Sequence, residues 1–350
     1  MKISLDSAAL CISDNRFGNY TVTHSLVEAI AKIDKKNKYT LYSFCSKPQD
    51  LKLSEHIRFR RLHPKRFWLS VRVSIAEALG SNDIFFALNQ AIPLWTSPRI
   101  FSFSHGLSYY FFKDLYPDSY NNLKSQLFSM MDRSEYIFVS SSKVKAEMDS
   151  IFLKNNKVRV IPFGIPQDML TKTQDEDALT DRVMDLPPEF FLFVGTDHSI
   201  KNTHFLVDAF KIFSEGPRYG DFKLILVGAE FERYTKGLKN IISFKHVSRA
   251  ELKHLYQKAS GYLTSSLYES FNLPVLEALS QGCPVVGKES AIIPELKEYV
   301  YTADHVEEFV EAMKTVVSER VRKIPKDEIK ARFSWDEYVW KLQEFYTKRT

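Results

Sequence analysis

The sequence is short of several things, and each absence narrows what it can be. No stretch of its 350 residues approaches the roughly 20 consecutive apolar side chains that a bilayer-spanning helix requires. The run Met1-Lys2-Ile3-Ser4-Leu5 is broken at once by Asp6, which makes it too short for the apolar centre of a secretory leader and suits a strand instead. The cysteines are three, Cys11, Cys45 and Cys283, with no paired spacing. The expectation is therefore reduced thiols in a cytosolic protein, not a disulfide framework or a zinc site. Twelve glycines and fourteen prolines exclude a low-complexity chain. A complete Gly-x-x-x-x-Gly-Lys-Ser/Thr loop, a Gly-x-Gly-x-x-Gly turn, a Gly-x-Ser-x-Gly elbow and a His-Glu-x-x-His pair are all missing. Kinase, dehydrogenase, hydrolase and zinc protease readings fall away with them. The net charge of +5 is too mild over this length to argue for nucleic acid.

What is present fits a two-domain α/β protein, because 350 residues exceed the usual size of one hydrophobic core and 44% hydrophobic residues suffice for two. Apolar strand-like runs alternate with helical periodicity throughout, the pattern of parallel sheets covered on both faces. In the first half the strands are expected at Lys2 to Leu5, Tyr39 to Phe44, Asp83 to Phe86, Arg99 to Phe103, Tyr136 to Val139 and Val158 to Ile161. Helices are expected between them, notably over Tyr20 to Ile33 and Ser141 to Phe152. The composition changes between Pro162 and Pro188, where Gly164, Pro166, the acid run Asp175-Glu176-Asp177 and Pro187-Pro188 read as an interdomain linker. A second sheet follows, with strands at Phe190 to Gly195, Lys223 to Val227, Ile241 to Phe244, Gly261 to Leu263 and Pro284 to Val286.

Charge is concentrated in one place. Arg58, Arg60, Arg61, Lys65, Arg66 and Arg72 are interleaved with Phe59, Phe67 and Trp68. Such a cluster suits an anionic membrane leaflet or a phosphorylated or lipid-linked acceptor, and equally a solvated edge whose aromatics face inward.

The segment richest in chemistry is Glu269-Ser270-Phe271-Asn272-Leu273-Pro274-Val275-Leu276-Glu277. Pro274, with its fixed φ and missing N–H, suits a first helical turn, and Val275, Leu276, Ala278 and Leu279 supply a buried face ending near Gly282. The first turn of that helix offers unpaired N–H groups and a positive dipole end to a phosphate. Glu277 suits a ribose diol and Glu269 another hydroxylated group. The same residues also suit an ordinary αβ unit, in which Glu277 serves the helix dipole and Glu269 is a solvated loop acid. Lys201, after the strand ending at Gly195, stands where ligands of doubly wound sheets sit, although a lysine before a helix is commonly just solvated.

The string from Tyr262 to Val286, with its strand, loop, Pro274, helix and Gly282-Cys283-Pro284-Val285-Val286 continuation, closely resembles the donor-site segment of the retaining glycosyltransferases of family 4, glycosyl transferases group 1. In that family the first Glu of the pair faces the transferred sugar and the second holds the ribose. Lys201-Asn202 looks like the Lys-Asn of the donor domain, His105 resembles the histidine beneath the donor sugar, and Arg16-Phe17-Gly18-Asn19-Tyr20-Thr21 looks like the loop after the first strand. Departures are Thr196 and Ile200, where many relatives carry an Arg, and Gly106, where relatives place Asp. Arg233 and Lys236 are the candidates to replace the missing diphosphate cation. Phe333-Ser334-Trp335-Asp336-Glu337-Tyr338 looks like the start of the family's final helix.

The resemblance implies an α/β fold of the GT-B type, two Rossmann-like domains facing across a cleft. Residues 1–163 would bind acceptor, 164–188 link, 189–332 bind the nucleotide sugar, and 333–350 pack back on the first domain. The implied reaction is transfer of a hexose from a nucleotide diphosphate sugar to a glycan or lipid-linked hydroxyl with retention, without a cofactor or obligatory metal. His105, Lys201 and Glu269 would form the catalytic set. Gly18, Gly195, Lys201, Ser270, Phe271, Asn272, Leu273 and Glu277 would hold the donor. A cytoplasmic location, with or without peripheral contact at the inner membrane face through Arg58, Arg60, Arg61, Lys65 and Arg66, goes with this reading. Asp175-Glu176-Asp177 formally matches the Asp-x-Asp of metal-dependent transferases, yet follows no buried strand and reads as a solvated acid run. The alternatives are a non-catalytic scaffold or sugar-nucleotide binder and a nucleotide-sugar epimerase of the same fold.

Overall fold

The computed structural model describes residues 1–12, 18–97, 99–153, 156–171, 179–229, 231–318 and 324–348. Arg16, Phe17 and Asp175-Glu176-Asp177 lie outside the described residues. The chain divides into two units, one of Met1–Gly164 with Ser334–Thr350 and one of Ile165–Phe333.

The first unit holds a seven-stranded sheet of β1 (Lys2–Asp6), β2 (Lys38–Ser43), β3 (Ile57–Arg61), β4 (Ile84–Ala87), β5 (Arg99–Ser104), β6 (Tyr136–Val139) and β7 (Val158–Val160), in the order β3-β2-β1-β4-β5-β6-β7. Every neighbouring pair is parallel. Strands such as Ile84-Phe85-Phe86-Ala87 and Tyr136-Ile137-Phe138-Val139 are buried at every residue, as a sheet covered on both faces demands. β3 is absent from the sequence expectations because its IRFRR pattern reads as charge. It is an edge strand, where the exposed Arg58 discourages pairing with another chain.

The second unit holds β8 (Phe190–Val194), β9 (Lys223–Val227), β10 (Ile241–Phe244), β11 (Gly261–Thr264), β12 (Val285–Gly287) and β13 (Tyr301–Thr302), a six-stranded parallel sheet ordered β10-β9-β8-β11-β12-β13. β13 pairs over only two residues and carries no periodic signal. Residues 165–171 and 179–188 belong to this unit and include the short helices Gln167–Leu170 and Asp181–Met184. Each sheet reverses its strand order once, between β1 and β4 and between β8 and β11. In open α/β sheets the crevice outside the carboxyl ends of such strands is where ligands bind.

The terminal helix Trp335–Thr347 is part of the first unit. Trp335 stacks on Phe163 at 5.5 Å, Phe345 meets Tyr136 edge-on at 4.9 Å, and Arg99 donates to the Phe345 carbonyl at 3.2 Å. Gly164 makes this approach possible, since a Cβ there would stand 2.2 Å from the Trp335 nitrogen.

One expectation is overturned. Cys11 and Cys45 form a disulfide with their Cα atoms 5.5 Å apart, while Cys283 alone is free and buried. The 34-residue separation hides the pairing. Only the parallel alignment of β1 with β2 sets the segments that follow the two strands side by side.

Candidate active site

In the second unit the carboxyl ends of β8 and β11 lead into two loops that are tied together. The Ser265 hydroxyl bonds the carbonyls of Lys201 and Asn202 at 2.9 and 3.0 Å, and the Leu267 N–H donates to the Ile200 carbonyl at 2.8 Å. This brings Lys201 against Glu269. The Lys201 Nζ donates to Glu269 Oε1 at 2.6 Å, and the Ser266 hydroxyl donates to the same oxygen at 2.7 Å. Both side chains keep partial access to solvent.

The helix Leu273–Gln281 begins where the β11 loop ends. Asn272 precedes it in the left-handed region, at φ 67°, a conformation that asparagine tolerates better than most residues. Its side-chain amide donates to Thr264 Oγ1 at 3.1 Å and to the Ala291 carbonyl at 3.0 Å, tying the start of the helix to the end of its strand. Pro274 lies in the first turn and Gly282, at φ 83°, closes the last. The side chains of Phe271, Asn272 and Leu273 are buried, so what this stretch presents to a ligand is backbone, with Ser270 partly exposed.

Glu277 is held differently from Glu269. It is 3% exposed and accepts from Arg249 at 2.7 Å and from the Tyr256 hydroxyl at 3.2 Å. Arg249 also clamps Asp168 through two bonds, of 2.6 and 3.1 Å. Burial pushes the Glu277 carboxyl up, and the Arg249 charge opposes it. Sequence reasoning missed Arg249, Asp168 and Tyr256. Arg249 opens the helix Arg249–Lys258 behind the Ser248–Glu251 capping box, and nothing local links it to an acid 28 residues later.

Gly195 ends the β8 turn with its N–H on the Val227 carbonyl at 2.9 Å. Gly228 passes so close that a Cβ would stand 1.6 Å from the Gly195 oxygen. Just beyond, Asp197 pairs with Arg233 at 2.6 Å and accepts from the Tyr234 hydroxyl at 3.2 Å. Arg233 is thus carried to the loop that follows β8, half neutralised by an acid. Ile200 is buried, which explains why no cation occupies its position.

His105 and Gly18 lie in the first unit. His105 follows β5, meets Phe103 edge-on at 4.8 Å, and its Nε2 stands 2.7 Å from the Leu88 carbonyl. A carbonyl only accepts, so Nε2 carries the proton and Nδ1 is the acceptor of a neutral ring. Burial pushes this histidine down to about 4, against the opposing effect of that hydrogen bond. Gly106 sits at φ 104°, where an aspartate would be strained. Gly18, at φ 57° and with open space where a Cβ would point, caps the helix Asn19–Ile33. The sequence expectations also passed over Asp6. Its buried carboxyl ends β1, accepts from the Ala8 N–H at 3.0 Å, and is pushed by burial up to about 6.

Residues 188–319 match the family described as Glycosyl transferases group 1. Over that stretch the chain is similar to the family. Among known proteins of similar sequence, the chain is 25% identical over 245 residues to the O-antigen chain mannosyltransferase RfbU of Salmonella typhimurium, covering 66% of this chain and 62% of that one. It is 23% identical over 250 residues to the O-antigen chain mannosyltransferase B of Escherichia coli, covering 68% and 64%. The matches therefore span less than two thirds of either relative's length. Among solved structures, the sucrose-phosphate synthase of Thermosynechococcus elongatus superposes with a TM-score of 0.76 at 16% identity over 99% of this chain and 98% of that one. Anabaena Alr3699/HepE in complex with UDP and glucose superposes with a TM-score of 0.70 at 13% identity over 99% of each chain. These likenesses, together with the two parallel sheets, place the chain in the GT-B fold class.

Proposed function

We propose that this protein is a retaining hexosyltransferase that moves a mannose- or glucose-like unit from a nucleotide diphosphate sugar to a hydroxyl of a glycan or lipid-linked saccharide, in polysaccharide or lipopolysaccharide assembly. The observation that carries the reading is the Lys201–Glu269 pair at the switch point of the second sheet, beside the start of the helix Leu273–Gln281. An ammonium has three donors, so Lys201 can keep Glu269 on one and offer the others to a diphosphate. Backbone N–H groups at the helix start add partial positive charge where the leaving phosphate gains negative charge. Glu269, fixed by Lys201 and Ser266, orients a sugar hydroxyl. Glu277, hydrogen-bonded by Arg249, has lone pairs left for a ribose diol.

In this reading the bond from the anomeric carbon to the phosphate oxygen breaks as the acceptor oxygen bonds the same face. The acceptor proton passes to the departing phosphate, so no side-chain nucleophile is consumed. Neutral His105, with Nδ1 as acceptor, suits a contact to a sugar hydroxyl better than to a phosphate. Lys201, Arg233 and the helix dipole supply positive charge without a metal. The likeness to RfbU and to the E. coli relative, both O-antigen chain mannosyltransferases, supports the choice of sugar and pathway class.

The test is a thermal-shift screen against UDP, GDP, ADP, CMP and their sugar conjugates with and without EDTA, followed by a transfer assay. A ligand at 100 times its dissociation constant raises stability by about 2.7 kcal/mol. Protection by one diphosphate that survives EDTA, with sugar transfer, supports the proposal; protection by none overturns it. A second reading, a non-catalytic sugar-nucleotide binder, is favoured by Arg233 being committed to Asp197 and by the buried Ile200. Protection without turnover selects it, and turnover without an acceptor selects an epimerase.

A further inference from the structure

The basic and aromatic segment of the first unit has its polarity turned inside out. Trp68–Val73 is a wide π-helical turn that continues into the helix Ser74–Ala78. Its inward side holds Val73 and Ala76, and also Glu77, the helix's one acid. Glu77 accepts from the Ser97 N–H at 3.1 Å, from the Ser97 hydroxyl and from the Asn82 amide at 2.7 Å, so the charge is spent on the protein.

The outward side is apolar instead. Phe67, Val71, Ile75 and Leu79 recur every fourth residue and all are exposed, Phe67 by 63% and Leu79 by 83%. Trp95, 65% exposed, extends the strip, because its N–H donates to Ser74 Oγ at 3.1 Å and holds the Leu94-Trp95 turn beside the helix. Phe67 keeps its ring in solvent from a left-handed backbone at φ 52°, a conformation costly for an aromatic residue. Scattered exposed apolar residues are ordinary, but four at one helical spacing with two more held beside the helix are the makings of a contact surface.

Its rim is basic. Arg66 precedes the strip with its guanidinium 5.0 Å from the Phe67 ring, Arg72 is the exposed charge within it, and Lys65, though exposed, lies over the Phe44 ring at 5.1 Å. From Lys65 to Trp95 the acids are Glu77, turned inward, and Asp83, which accepts from the Lys2 N–H at 2.8 Å at the amino end of the sheet. By contrast Arg60 and Arg61 of the edge strand turn back on the protein. Arg60 lies over the Tyr42 ring, and Arg61 Nε donates to the Phe44 carbonyl at 3.4 Å. Of the edge strand's arginines only Arg58 is left outward, whereas Arg66 and Arg72 flank the apolar strip directly.

We infer that the strip Phe67, Val71, Ile75, Leu79, Leu94 and Trp95 docks the protein on an anionic lipid bilayer. Apolar side chains enter the acyl boundary while Arg66 and Arg72 reach the headgroups on their long stems. A second copy of this chain is the poorer occupant, since it would set Arg66 and Arg72 against their own counterparts. The inference stands on the first unit alone and is independent of the donor-site reading.

The test is co-sedimentation of the full chain with mixed phosphatidylglycerol and phosphatidylethanolamine vesicles and with pure phosphatidylcholine vesicles. Binding is expected to the anionic vesicles and to weaken with salt. The Ile75→Glu/Leu79→Glu double variant should reduce partitioning by roughly tenfold or more, and Arg66→Glu/Arg72→Glu by a similar factor. All four positions are exposed, so the thermal midpoint should not move and a folding defect is separable. No binding by the wild type, equal binding to both vesicle types, or undiminished binding of the Ile75/Leu79 variant overturns the inference. A wild-type dimer that Leu79→Glu dissociates overturns it in favour of a second copy. The nucleotide thermal shift, measured on the same preparation, separates failure here from failure of the proposed activity.

Discussion

At the scale of single residues, two acids of one motif occupy different physical situations. Glu269 and Lys201 form a partly solvated pair, and such pairs contribute at most about 1 kcal/mol to stability. Lys201→Ala should therefore leave the fold nearly intact while lowering transfer by about 10²- to 10³-fold, as removal of a preorganised charge does; urea unfolding and kcat/KM on the same sample check this. Glu269→Ala should depress turnover more than nucleotide affinity by calorimetry. Glu277 is buried on Arg249, so Glu277→Gln should weaken nucleotide binding and also destabilise by roughly 2–3 kcal/mol through the charge it strands, with Asp168 softening the loss. Adding Arg249→Met should recover part of that stability but not the binding, and strictly additive losses would refute the coupling. Acidity is a third residue-scale matter. Asp6, raised from 3.8 to about 6, contributes up to about 3 kcal/mol that is complete below pH 3.8 and lost as pH rises to 6. His105, lowered from 6.5 to about 4, contributes a similar amount that is complete above pH 6.5 and lost as pH falls to 4. The two offset each other in the wild type. Asp6→Asn should make stability fall more steeply on acidification and His105→Gln should make it rise, and parallel profiles for both variants would refute the assignment.

At the scale of elements, the site depends on two turns that bring backbone against backbone. Gly228, at φ 136°, lets the β9 turn pass over the carbonyl of Gly195. Gly228→Ala puts a methyl where an oxygen stands and strains the backbone, so the urea midpoint should fall by the equivalent of about 3 kcal/mol or more. An unchanged midpoint would mean that the turn can shift. The helix Leu273–Gln281 was legible in advance because Pro274 and Gly282 mark its ends and its apolar residues follow one period. So were Tyr136–Val139, Lys223–Val227 and Ile241–Phe244, whose apolar runs match the observed strands. Ile57–Arg61 and Tyr301–Thr302 were not, since an edge strand has one side without a partner and needs no continuous apolar run.

At the scale of the molecule, the chain returns its last helix to the unit it began in. Trp335, Tyr338, Leu342 and Tyr346 are buried in that unit, so a chain ending at Phe333 should lose several kcal/mol from it. Limited proteolysis should then cut within Met1–Gly164 first; resistance equal to the full chain would show the helix to be dispensable. By itself the sequence determined the two parallel sheets, the loop-to-helix junction at Pro274 and the resemblance of its donor-site segment, because period, caps and turn residues are local properties. Tertiary structure decided what that local code does not carry. It set Lys201 on Glu269 across 68 residues, Arg249 on Glu277 across 28 and Cys11 on Cys45 across 34. It also turned Glu77 inward beneath an apolar outer face. Strand order and burial create these neighbours, and contacts between residues far apart in the chain leave no spacing to read.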